Sequence, residues 1–473
     1  MIGAKYIYSN LNTYFASYLY CEGEKNIEPK HTYFLCPALD ILLYSFFTIG
    51  VKIGDKIGPR YSVLITLIIQ AISYILLIFH KTLVILILSI AIFGIGGAIS
   101  NLITIKNSWK YFPDSQGLVN GIIVAGSGIT SFILTPLADY YIINPEKEDV
   151  DDNGFYPCYI AQRLETYLKV IVVIFAAFGI LALIFTFDYE EGENKTKKNI
   201  KQKDDFHISS NMNILKEKVL DINDNIDFAR SASVTGSGIL PSFDVIDEKS
   251  DMSNKNANQR LCYAFFSLKN LMMLSFCFCG FFLDFLITNC NRDFANKNNV
   301  NQDALFLLGI LFGLFNGLSR LFFGWLMDLF GFKIIMFFVS IVEFAIGCSI
   351  YFLVSNDIIY VILILLVGVC LGGSFAMMAP LFKKIFGIQT GPEVFGISGI
   401  ALGLANLAGP ILTTFVIEKN KDYLVAFLTG VFLVIVKLFA LLFFNENKEF
   451  DYKLPDKNKG KKEKTDVEVE IAG

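Results

Sequence analysis

A short charged turn occurs twice in this chain, at the same place in each half of an otherwise apolar sequence. The first copy reads Ile53-Gly54-Asp55-Lys56-Ile57-Gly58-Pro59-Arg60, and the second Gly324-Trp325-Leu326-Met327-Asp328-Leu329-Phe330-Gly331-Phe332-Lys333. Each lies between two long apolar segments, with Asp, Gly and a terminal cation in the same order. The two aspartates stand 273 residues apart. A repeat of this period marks an internal duplication, so the fold has to be built from two related bundles.

Those bundles belong in a bilayer. Of 473 residues 54% are hydrophobic and only 18% charged, where soluble domains carry about a quarter charged. A spanning helix needs about 20 mainly apolar residues, and the segments 33–54, 61–79, 82–105, 117–143, 165–187, 263–289, 304–327, 334–354, 358–382, 393–417 and 423–444 qualify. The twelfth span is 2–20, interrupted by Lys5, Asn10 and Asn12. It reads as a helix that lines a cavity and is cut short at its start, with no cytosolic leader or cleavable signal before it. The expected fold is therefore all-α and integral to the membrane: twelve transmembrane helices in two pseudo-symmetric six-helix bundles, 1–187 and 263–444. A polar, mostly disordered linker, 188–262, joins them, and a Lys-rich tail, 445–473, follows.

Lys52, Lys56, Arg60, Lys106, Lys110, Lys333, Lys383 and Lys384 all fall on one side of this layout, and the acidic run around Glu146–Asp152 on the other. The positive-inside rule then makes both termini and the linker cytosolic, in a plasma or organelle membrane. Nine cysteines fall mostly inside apolar segments; Cys21, Cys158 and Cys290 can reach the non-cytosolic side, where one disulfide can form. No metal-ligand cluster, nucleophile–base pair, nucleic-acid motif or Gly-x-x-x-x-Gly-Lys-Ser/Thr nucleotide loop occurs. An enzyme, a cofactor, a nucleic-acid partner and ATP-driven pumping all lack support.

In the turn motif, Asp at a helix end can meet the positive N-terminus of a neighbouring helix, Lys or Arg can pair with carboxylate or phosphate, and Gly permits the tight turn. Asp55, Lys56, Gly58 and Arg60, with Gly324, Asp328, Gly331 and Lys333, thus form a conformational latch. The motif resembles the helix 2–3 loop of the major facilitator superfamily. The first copy departs from that pattern at Val51 and Pro59, and the second lacks a basic residue at Leu329. A second string, Trp109-Lys110-Tyr111-Phe112-Pro113-Asp114-Ser115-Gln116-Gly117-Leu118 followed by a Gly-rich helix, is similar to oxalate:formate antiporters and monocarboxylate transporters. Phe386-Gly387, Gly396 and Gly409-Pro410 fit the same group.

Charges inside a bilayer are costly and mark function by default. Arg320 lies eight residues before Asp328, about 12 Å along the helix, with Asn316 one turn away on the same face. The resemblance implies that Arg320 binds a substrate carboxylate. Asn316 stands where monocarboxylate transporters have a proton-coupling Asp. Residues 393–417 lack the Lys that oxalate carriers place there, so one deep cation favours a monoanion. Tyr8, Asn10, Asn12 and Tyr14 form a polar stripe suited to wall the site. Asp40 is the first candidate for proton coupling and Asp284, placed nearer the outer side, the second; helix-pairing contacts are the competing role of both. The resemblance makes the helices of Glu343 and Lys437 adjacent and peripheral, so these two read as a structural ion pair. The combined expectation is a secondary carrier of small monocarboxylates, proton-coupled or exchanging, with a small organic anion, protons and the lipid bilayer as partners. A carrier for another small solute (an amino acid, vitamin or drug) and a non-transporting membrane sensor remain the alternatives.

Overall fold

A computed structural model describes residues 11–79, 82–146, 150–151, 154–189, 259–420, 423–447 and 450. All except Asp188 and Tyr189, which belong to a second unit, 188–256, lie in one body. The body is helical because a chain in hydrocarbon must bond every backbone N–H and C=O to itself. The helices are α1 (Asn12–Cys21), α2 (Leu35–Ile57), α3 (Pro59–Ile78), α4 (Leu83–Tyr111), α5 (Gln116–Pro136, prolonged by a wider turn Leu137–Ile143), α6 (Arg163–Phe185), α7 (Leu268–Lys297), α8 (Gln302–Phe330) and α9 (Phe332–Leu353). The stretch Asp357–Ser398 has a non-helical break at Gly387. Its first arm is α10, and its second arm with Ile400–Asn420 makes α11; Leu424–Phe443 is α12.

Ten stretches among the described residues are long and apolar enough to cross a membrane. One of them, Asp357–Phe415, has 59 residues and as a straight helix would be about 90 Å long, some three times the hydrocarbon thickness. It folds back at Gly387, so that Gly391 packs on the backbone of Phe382 and Lys383. That makes eleven spans, with α1 as a twelfth helix of ten described residues. Outward positions carry Ile68, Phe178, Phe338 and Phe439, all well exposed, as a lipid-facing surface requires.

Three turns share one geometry. Gly58, Gly331 and Gly387 have φ of 83°, 82° and 83°, a left-handed conformation that glycine adopts without steric cost. The first two are the repeated motif, and Pro59 fits it, because the first helical position tolerates a missing N–H. The third joins α10 to α11. All three lie at one face of the body, here the turn-bearing face. At the opposite face Cys21 and Cys158 form a disulfide that ties the end of α1 to the start of the α6 region; Cys290 is free and buried.

Several boundaries differ from the sequence expectation. α7 runs to Lys297, beyond residue 289, because Asn291, Arg292 and Asp293 continue the helix past the apolar stretch. Asp284 therefore stands near mid-helix and not toward one end. Residues 259–265 are helical and so end the linker early. The start of the tail is docked, since Glu446 accepts from the backbone N–H of Phe332 at 2.8 Å and the Phe450 N–H donates to the Ile385 carbonyl at 2.9 Å. The remaining linker and tail residues, 190–258, 448–449 and 451–473, lie outside the described residues.

Candidate functional site at the seams between the halves

The two halves meet along α5–α8 and along α2–α11. In the first seam the backbones touch. A Cβ added to Gly117 would lie 2.4 Å from the Gly324 carbonyl, one on Gly121 2.4 Å from that of Arg320, and one on Gly128 2.4 Å from the Gly317 Cα. Small residues at this spacing let helices approach to backbone contact. In the second seam, glycines of α11 pack on larger residues of α2: Gly396 on the hydroxyl and backbone of Thr48, Gly399 on Tyr44 Cβ and Gly403 on the backbone and side chain of Ile41.

Arg320 sits within the first seam, 2% exposed. The local sequence explains its reach: opposite it α5 offers Val124 and Ser127, and Gly121 lets the backbones close. Its Nη1 donates to the Val124 carbonyl at 2.8 Å and to Ser127 Oγ at 2.6 Å, and its guanidinium lies 5.1 Å from the Phe375 ring centre of α10, within cation–π range. Asn316 is turned elsewhere. Its Nδ2 donates to the Gly368 carbonyl of α10 at 2.9 Å, so the two residues share a helix face but address different neighbours. Asn120 adds a bond from Nδ2 to the Ala376 carbonyl at 2.6 Å.

The second seam holds Asp40, fully buried. Its Oδ2 accepts from Asn406 Nδ2 at 2.9 Å, and Asn406 Oδ1 accepts from Asn289 Nδ2 at 2.8 Å. A polar chain thus links α2, α11 and α7. Toward the disulfide face, the Tyr33 hydroxyl donates a hydrogen bond to Asp293 of α7. The halves are therefore tied at several depths.

At the turn-bearing face the two motif copies behave differently. Asp328 accepts from the backbone N–H of Gly117 at 2.9 Å and of Leu118 at 2.8 Å, so it caps the first turn of α5 across the seam. Asp55 accepts from Lys106 Nζ at 2.8 Å through both oxygens, a partner on α4 of its own half. Lys56 and Arg60 are exposed; Lys333 Nζ donates to the Leu442 carbonyl at 3.0 Å. A cavity of about 460 Å³ opens here, lined by residues that include Pro113, Asp328, Lys383, Lys384 and Gly387 but not by Arg320 or Asp40.

Of the expected polar stripe, Tyr14 stacks on Tyr156 with ring centres 4.4 Å apart, and the Asn12 carbonyl accepts from Thr32 Oγ1 at 3.1 Å. Tyr8 and Asn10 lie outside the described residues. Away from the seams, Lys437 Nζ lies 2.8 Å from Glu343. No group of three or more potential metal ligands occurs among the described residues. Asn406, Asn289, Ser127 and the Tyr33–Asp293 contact are not among the residues that the sequence pattern singles out. The asparagines had a usable signal, since amides inside apolar spans need partners.

Two helical bundles meeting face to face across the membrane, with buried polar groups at the junction, define the class of secondary carriers that work by moving one bundle against the other. The sequence matches the Major Facilitator Superfamily over residues 41–289 and 272–469, and the chain belongs to that family. It is a multi-pass membrane protein of secondary active transport, not an enzyme. Its fold is similar to a solved structure of the superfamily's proton:xylose symporter XylE bound to 6-bromo-6-deoxy-D-glucose, with a TM-score of 0.59 at 15% identity, covering 93% of this chain and 94% of that one. No curated protein matches the sequence.

Proposed function

We propose that the chain transports small monocarboxylates of the lactate, pyruvate or formate kind, by proton coupling or exchange. The observation that carries this reading is Arg320, a buried guanidinium in the seam between the halves, with a carbonyl and a hydroxyl as acceptors. An incoming carboxylate is a stronger, bidentate acceptor than either. The α11 stretch 400–415 contributes no Lys or Arg, so the site offers one positive charge to one negative one. Asn316 holds α10 beside the site, Asn12 and Tyr14 stand on α1, and Asp40 is the first candidate to exchange a proton as the halves part. Both turns act as the latch.

The turn-bearing face is the cytosolic one in this reading. It carries the Lys-rich loops, and the disulfide lies opposite, as an oxidising compartment requires. The two bundles and the cytosolic linker and tail then follow the boundaries drawn from the sequence, with the linker shortened at its end.

A second reading is favoured by the same bonds: Arg320 locks α5 to α8, and the solute is an amino acid, vitamin or drug. Uptake of labelled lactate into proteoliposomes, with unlabelled lactate or amino acids as competitors, separates the two. In Arg320→Ala the carboxylate loses a charge-assisted contact worth about 1.5–3 kcal/mol, so uptake should become roughly ten- to a hundredfold weaker, and Arg320→Lys should recover part of it. Lactate uptake intact in Arg320→Ala would remove the carboxylate reading. A non-transporting sensor is the third possibility; deletion of 195–255 should spare a carrier and silence a sensor.

A further inference from the structure

Helices α7, α9 and α12 bring three ionisable side chains together inside the second bundle. Lys437 Nζ donates to both Glu343 oxygens, at 3.1 and 2.8 Å, with side chains 0% and 1% exposed. The Lys437 stem crosses α7 at Gly280, where an added Cβ would lie 3.2 Å from Cδ, Cε and Nζ alike. Asp284 is one turn further on the same helix face, 1% exposed, and its Oδ2 accepts no hydrogen bond. The charges acting on Asp284 are those of Glu343 and Lys437. From the other elements packed here, α10 contributes the Cys370 thiol and α7 itself Cys279; α11 contributes no charged side chain over 400–415.

Two carboxyls thus face one ammonium in an interior closed to bulk solvent. Glu343 takes the whole of it by geometry. Asp284 as a carboxylate would be an uncompensated buried charge, which a protein interior does not tolerate without a counter-charge. The counter-charge that fits a space closed to solvent is a proton.

We propose that Asp284, Glu343 and Lys437 form a single proton-binding site that holds one dissociable proton and is neutral when it is bound. The site lies wholly within the second bundle, apart from Arg320, and stands whatever solute the protein carries. It also predicts a pattern that an ordinary ion pair does not. Either carboxyl can be replaced by its amide, because Lys437 then pairs with the one that remains. Replacing both strands the lysine.

The test uses the full-length protein in lipid nanodiscs, comparing wild type, Asp284→Asn, Glu343→Gln and the double variant. Infrared difference spectra should show one protonated-carboxyl C=O stretch at neutral pH that either single change removes. Both single variants should melt cooperatively near the wild type, and the double variant should melt far lower. Between the ordinary carboxylate range and the pH at which the native site gives up its proton, the folding equilibrium of the wild type should weaken by up to about tenfold more per pH unit than that of Asp284→Asn, because unfolding of the wild type releases the bound proton. Failure of Asp284→Asn to fold, a stretch that survives in Glu343→Gln, or a double variant as stable as either single one would each overturn the proposal.

Discussion

The seams α5–α8 and α2–α11 are related by the internal repeat, yet they close in different ways. The first has glycine on both sides, so that glycine meets glycine; in the second the glycines of α11 meet the larger residues Ile41, Tyr44 and Thr48 of α2. The turns repeat the contrast. Asp328 crosses its seam to the first N–H groups of α5, whereas Asp55 stays in its own half on Lys106. What differs is the receiver. α5 presents Gly117 and Leu118 with free N–H groups. The α11 stretch facing Asp55 carries Glu393, an acid near enough to act on it, and Pro392, which has no N–H. A duplicated donor makes a duplicated latch only if the acceptor site is duplicated too.

This asymmetry can be broken or sharpened by substitution. The largest effect is expected from Asp328→Ala, which removes two charge-assisted bonds at a partly exposed site. A loss of about 2 kcal/mol corresponds to a shift of roughly thirtyfold toward an open turn-bearing face. Spin labels at positions 114 and 388, in a background that keeps Cys21 and Cys158, would report it as a longer distance. Asp55→Ala removes an ion pair made within one half, between a 40% exposed carboxylate and a 7% exposed Lys106; because that pair crosses no seam, the same labels should move by less than about fivefold in population. Equal shifts in the two variants would abolish the distinction drawn between the turns. The smallest effect is expected at the other face, from Glu146. Its bond from Arg163, at 2.9 Å between Nη2 and Oε1, holds the carboxyl below the ordinary carboxylate range. The contribution of the pair is then present at neutral pH and is lost only as pH falls through that depressed value. Melting curves of wild type and Glu146→Gln should differ by a constant amount near neutrality and converge in acid.

The spans, the duplication and the glycine turns were legible because each depends on local composition: runs of apolar residues, a repeated string, and Gly where the backbone turns left-handed. Depth along a helix was legible too, which placed Arg320 and Asp40 well inside the body. Partners were not. Nothing in the neighbourhood of Asp55 names Lys106 over α11, and three cysteines on one side of the layout do not select Cys21 and Cys158. Asp284 and Glu343 lie far apart in sequence, and only the packing of α7 against α9 and α12 makes them share Lys437. Asn316 and Arg320 occupy one helix face, as their spacing requires, but which neighbour each one addresses depends on Gly368 and Val124 in other helices.

Gly117, Gly121 and Gly128 keep the same intervals as Gly313, Gly317 and Gly324, on helices that run antiparallel. Half a rotation about an axis through the seam therefore exchanges one set for the other. That is the symmetry of an isologous dimer contact, made here once, inside a single polypeptide. The recognition between the halves is written into this self-complementary surface, and the covalent connection between them serves to fix their stoichiometry and to raise their effective concentration.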